Sequence, residues 1–132
     1  MTARHLYIHV PFCSRRCSYC DFSIAVRRNV PVREYLDALA IELDGLRESA
    51  GSPLTTLYFG GGTPSRLGGE GVASMVELVR RRFDIAPDAE VTLETNPEDV
   101  TPDAVAAWTK AGVNRLSLGI QSFDDTVLQW MH

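Results

Sequence analysis

A chain of 132 residues, 45% hydrophobic and 23% charged with a net charge of −4, has the make-up of one globular domain with its own core. The acidic balance argues against nucleic acid as a partner. The short basic runs Arg15–Arg16 and Arg80–Arg81–Arg82 sit in periodic sequence, and the triple arginine reads as the solvated end of a helix.

In chain order, "RHLYIHV" (4–10) reads as a short buried strand. After a loop holding all three cysteines, "PVREYLDALAIELDGLRE" (31–48) sets Leu36, Leu39, Leu43 and Leu46 on one helical face, with Pro31 near the start. "LTTLYF" (54–59) is a second strand running into "GGGTP". "GEGVASMVELVRRRF" (69–83) aligns Val72, Met75, Val76, Val79 and Phe83 along a second helix. "AEVTLET" (89–95) is a third strand. "TPDAVAAWTKAG" (101–112) is a helix with a capping Thr101, Pro102 in its first turn and Gly112 at its end. "NRLSLGI" (114–120) is a fourth strand, and "DDTVLQWMH" opens a fourth helix.

Such alternation predicts an α/β fold with a parallel sheet and right-handed crossovers. Periodicity leaves two architectures open, a doubly wound sheet and part of a (β/α) barrel. The chain stops inside an apolar helical pattern (Val127, Leu128, Trp130, Met131), so a truncated product is expected. No apolar run of about eighteen residues is present, so no transmembrane segment is expected. "MTARHLYIHVPF" lacks the marks of a secretory leader. With an odd number of cysteines, cytoplasm is the expected compartment.

The residues with chemistry follow the strands: the cysteine loop after the first, "GGGTP" after the second, Glu94 and Asn96 closing the third, Gln121 closing the fourth. In parallel α/β folds that edge is where ligands bind. Cys13, Cys17 and Cys20 have the spacing Cys-x3-Cys-x2-Cys. They could form the apolar face of a helix, or hold structural zinc with His5 or His9 as fourth ligand. They could also hold an iron–sulfur cluster, where three thiolates leave one iron open to a ligand. Arg15 and Arg16 would favour the thiolates, or are plain exposed charges. The glycines of "YFGGGTPS" lack the spacing of a phosphate loop. They make a tight turn, or bring bare backbone against a small zwitterion. Glu94 could accept from a ribose diol, and Gln121 could be a structural amide or a ligand contact.

Taken together, "LYIHVPFCSRRCSYCDF", "YFGGGTPS", "LETNPEDV" and "GVNRLSLGIQSFDD" resemble, in that order, the radical S-adenosylmethionine (SAM) superfamily. Within it they are similar to the oxygen-independent coproporphyrinogen III oxidase-like branch, which includes the heme chaperones. The resemblance implies the N-terminal part of a partial (β/α) barrel, residues 1–132 supplying about four βα units without the remaining barrel or a C-terminal domain. It implies a [4Fe–4S] cluster on Cys13, Cys17 and Cys20 whose free iron chelates SAM. Tyr7, Tyr19, Gly61, Gly62, Thr63, Glu94 and Gln121 match cofactor-contacting positions. One electron from the cluster would cleave SAM to a 5′-deoxyadenosyl radical.

Two departures separate the chain from the porphyrinogen dehydrogenases of that branch. Phe22 stands where those enzymes carry a further cysteine, and the first strand begins almost at once. Both favour the heme-chaperone type, with heme as a further ligand and a hemoprotein as acceptor. Coproporphyrinogen III oxidation and a small zinc-binding module are the alternatives. A flavodoxin or ferredoxin is the implied electron donor, and these residues alone are not expected to sustain catalysis.

Overall fold

The computed structural model describes residues 2–131. The elements run β1 (His5–Val10), β2 (Phe12–Cys13), β3 (Ala25–Val26), α1 (Val32–Gly45), β4 (Leu54–Gly61), α2 (Gly68–Arg80), β5 (Ile85–Thr95), α3 (Pro102–Ala111), β6 (Arg115–Leu118) and α4 (Asp125–Met131). Four strands form one parallel sheet in the order β1-β4-β5-β6. Each strand after β1 lies beside its predecessor in that sheet, and α2 packs against both α1 and α3. A doubly wound sheet would reverse its strand order at a switch point. This one does not, so the barrel-type architecture stands and the doubly wound alternative is corrected. Among the described residues no helix is long and apolar enough to cross a membrane.

Alternation along the strands sorts the two faces of the sheet. Ile8, Val10, Leu57, Phe59, Val91 and Leu93 are buried with Leu39, Leu43 and Trp108 of the helices. On α2, Val72, Met75, Val76 and Val79 are completely buried, each side chain contributing about 1.5–3 kcal/mol as an upper figure. The other register positions carry Tyr7, His9, Tyr58, Glu90, Glu94 and Arg115. A sheet covered by helices on both faces would read as unbroken apolar strands; here only one face does.

Local signals set the helix ends. Thr101 Oγ1 accepts from Ala104 N–H at 3.2 Å, and Gly112 closes α3 with φ 107°, a left-handed turn that glycine adopts without a Cβ penalty. Leu46, expected on the buried stripe of α1, lies past the helix end and is exposed. The triple arginine is less free than its sequence implied. Arg82 donates from Nε and Nη2 to Asp44 Oδ1 and Oδ2 at 2.8 and 3.0 Å, and Arg81 pairs with Glu77. Arg82 thus ties α1 to the end of α2. Phe123 and Trp130, which follow β6 in the chain, are 93% and 74% exposed.

Candidate functional site

The cysteine loop is closed by a device that periodicity did not reveal. β2 and β3 pair in parallel, Phe12 opposite Ala25 and Cys13 opposite Val26. Arg27 N–H donates to Cys13 O at 3.0 Å. Residues between the two short strands are thereby held as a loop over the carboxyl end of the sheet, and Cys20 N–H closes a turn onto Cys17 O at 3.1 Å. His9 fastens the same loop from below. Its Nε2 lies 2.8 Å from Ser23 O and its Nδ1 3.1 Å from Tyr7 Oη. A carbonyl only accepts, so Nε2 carries the proton and Nδ1 accepts from the tyrosine.

A cavity of about 480 Å³ opens at this edge. Cys13, Cys17, Cys20, Tyr19, Gly61, Gly62, Thr63, Glu94 and Gln121 all line it. Nine of the ten site residues expected from sequence therefore meet in one place. Tyr7 is not in the lining; it stacks on Tyr58 with ring centroids 6.0 Å apart, on the polar face of the sheet. Asn96, Ser117, Gly119 and Phe22 also line the cavity.

The glycine turn is shaped by close approach. Gly61 has φ +118°, and a Cβ on Gly62 would stand 2.6 Å from Pro11 O and 2.9 Å from Cys13 Sγ. Both positions require glycine, and they press bare backbone against the first cysteine. Glu94 is held at both oxygens: Tyr58 Oη–H donates to Oε1 at 2.7 Å, and Gly61 N–H to Oε2 at 3.0 Å. A carboxylate has about four lone-pair sites, so acceptor capacity remains toward the cavity. Gln121 has φ 68°, a left-handed conformation that costs a non-glycine residue about 1–2 kcal/mol.

Charge in the site follows from these contacts. Burial pushes the Cys13 thiol up, and the Cys20 and Cys17 sulfurs push the same way; the Thr63 hydroxyl and the Arg66 guanidinium pull it down. Burial, then the Cys17 sulfur, raises the Tyr19 phenol. Burial, then the Glu94 carboxylate, raises that of Tyr7.

Three free thiolates are the donor chemistry of an iron–sulfur cluster. All three cysteines are free and partly exposed. Among the described residues no three His, Cys, Asp or Glu side chains are grouped as ligands of one metal ion. An iron–sulfur cluster takes each cysteine thiolate at a different iron. The histidines weighed as a fourth zinc ligand are also occupied or remote. His9 has both nitrogens engaged, and His5, bonded to Thr56 Oγ1 at 2.9 Å, lies four residues, about 13 Å, further down the strand.

Sequence reasoning weighed His9 only as a zinc ligand and missed Tyr58; both support the site without lining the cavity. Both face the polar side of the sheet at even spacing from Tyr7 and Gly60, the one signal that could have marked them. Their partners, Ser23 O and Glu94, are distant in sequence.

Comparison with known proteins gives relatives across nearly the whole chain. It is 42% identical over 126 residues to the heme chaperone HemW of Escherichia coli, covering 94% of this chain and 33% of that protein. It is 46% identical over 127 residues to the heme chaperone HemW of Mycobacterium tuberculosis, covering 93% and 33%. With the mitochondrial radical S-adenosyl methionine domain-containing protein 1 of Bos taurus it shares 43% identity over 125 residues, covering 94% and 28%. The chain thus spans about a third of the length of these relatives. Among solved structures, E. coli coproporphyrinogen III oxidase (HemN), described as a radical SAM enzyme, superimposes with a TM-score of 0.88 at 33% identity. The match covers 95% of this chain and 29% of that one. The model of the radical SAM superfamily matches residues 7–132, and the chain belongs to that superfamily.

Proposed function

We propose that this chain is the cofactor-binding N-terminal part of a heme chaperone-like radical SAM protein, with residues 1–132 supplying the first four βα units of the core. Cys13, Cys17 and Cys20 hold a [4Fe–4S] cluster. Gly61, Gly62 and Thr63 receive the methionine end of SAM, Glu94 and Gln121 its ribose side, and Tyr19 its adenine, with Tyr7 set below. When bound, the cluster and SAM supply one-electron reductive cleavage of a carbon–sulfur bond. The chain's own share is positional. His9 and the β2–β3 pair hold the loop, the glycine turn admits a ligand to within backbone reach, and Glu94, fixed by Tyr58, offers acceptor oxygens.

The observation that carries this reading is the convergence of nine expected residues from four strand ends on one cavity. Identity to proteins named heme chaperones, 42% and 46%, exceeds the 33% to the coproporphyrinogen oxidase, and Phe22 occupies the cavity wall. Heme, an acceptor hemoprotein, a flavodoxin- or ferredoxin-type donor and a cytoplasmic location complete the proposal.

The test is anaerobic reconstitution with iron and sulfide, followed by SAM titration under electron paramagnetic resonance of the reduced cluster. A [4Fe–4S] signal that SAM perturbs and Cys17→Ala abolishes supports the reading; zinc without sulfide sinks it. Heme that binds and transfers without porphyrinogen turnover separates chaperone from oxidase.

A further inference from the structure

Thr63 is buried at 5% exposure, and its hydroxyl lies 3.6 Å from Cys13 Sγ, which it reaches as a donor. The same oxygen accepts from Asn96 Nδ2 at 3.4 Å. A hydroxyl has one proton and two lone pairs. With a lone pair taken by the amide, the proton is left to point at the sulfur.

Asn96 is itself held in a ring of bonds joining two loops. Its N–H donates to Ser65 Oγ at 3.4 Å, Ser65 Oγ–H donates to Asp99 Oδ2 at 2.6 Å, and Asp99 N–H returns to Asn96 O at 3.0 Å. Ser65 is 2% exposed. The turn after β4 and the turn after β5 are thus locked together, and both bear on Cys13. Thr63 and Ser65 are buried and Asn96 and Asp99 half-buried, and a network of paired polar groups orients its end group.

A hydrogen bond to a cluster-ligating sulfur withdraws charge from it and favours the reduced, more negative cluster. We propose that Thr63, aimed by Asn96, is a tuning residue that hydrogen-bonds Cys13 Sγ and raises the reduction potential of the cluster. The proposal rests on the cluster assigned above and adds to it a role that needs no SAM.

The whole chain, reconstituted and titrated with a chemical reductant without SAM, tests it. The midpoint of Thr63→Val should move to more negative potential, and Thr63→Ser should restore the wild-type value, with iron and sulfide content unchanged in both. Thr63→Ala, which only removes atoms, decides the case if the valine variant fails to load iron. A midpoint unchanged in a hydroxyl-free variant overturns the proposal. So does a shift seen only with SAM present, which would make Thr63 a ligand contact alone. Failure of the wild-type chain to assemble any cluster overturns the cofactor reading itself and is distinct from both.

Discussion

Tyr58 and Glu94, 36 positions apart in sequence, meet across β4 and β5 through a 2.7 Å hydrogen bond from the phenol to Oε1. The bond fixes the one carboxylate on the cavity wall that also accepts from the glycine turn, through Gly61 N–H. A side chain outside the lining therefore orients one inside it.

Tyr58→Phe should cost about 1 kcal/mol of stability and weaken SAM binding, read by urea denaturation and by titration of the reconstituted chain. The pH dependence has a definite sign. The bond to Glu94, then burial, raises the Tyr58 phenol above its ordinary value of 10.0. Its contribution is complete below about pH 10 and is lost as pH rises through the folded-state value. The phenylalanine variant should lack that alkaline loss.

Gly62→Ala tests the close approach at the first cysteine. The added methyl would meet Pro11 O and Cys13 Sγ, where backbone cannot yield cheaply. Destabilisation of about 1–3 kcal/mol is expected, with lower iron content after reconstitution. Normal loading at wild-type stability would show that the turn is not fitted to the loop.

Gln121→Gly separates backbone strain from ligand contact. Removing the Cβ at φ 68° relieves about 1 kcal/mol, offset by about 0.5–1 kcal/mol of glycine entropy. Thermal stability should hardly change, while SAM affinity falls about fivefold through loss of one amide contact. Unchanged affinity would make Gln121 a structural residue.

At the opposite end of the sheet, the hydrogen bond from Arg82 holds the Asp44 carboxyl below its ordinary value, reinforced by the charges of Arg82 and Arg47. A depressed folded-state value means stability present above about pH 4 and lost as pH falls through the lower value. Comparing urea midpoints at about pH 7 and about pH 3, Asp44→Asn should lose less on acidification than the wild-type chain. An identical acid loss in both would show that this pair is silent.

The helix ends were legible because their causes are local. Thr101, Pro102 and Gly112 mark α3 within one short string, and the cap and left-handed turn lie where that string puts them. The apolar stripe of α2 was equally plain, since a 3.6-residue period has one physical reading. Leu46 was misread because a periodic pattern does not say where its helix stops.

Local sequence, then, determined the alternation of strands and helices, the stripe each helix buries, and which edge of the sheet gathers thiols, glycines and carboxylates. Backbone preference and hydrophobic period act over a few residues and need no knowledge of the rest of the chain. Only the tertiary structure decided that the strand order runs without reversal, that β2 and β3 close the cysteine loop, and that Thr63, Asn96 and Ser65 form one chain ending on Cys13. Those pairings join residues 13 to 51 positions apart, and polar side chains leave no periodic trace of the partners they will find.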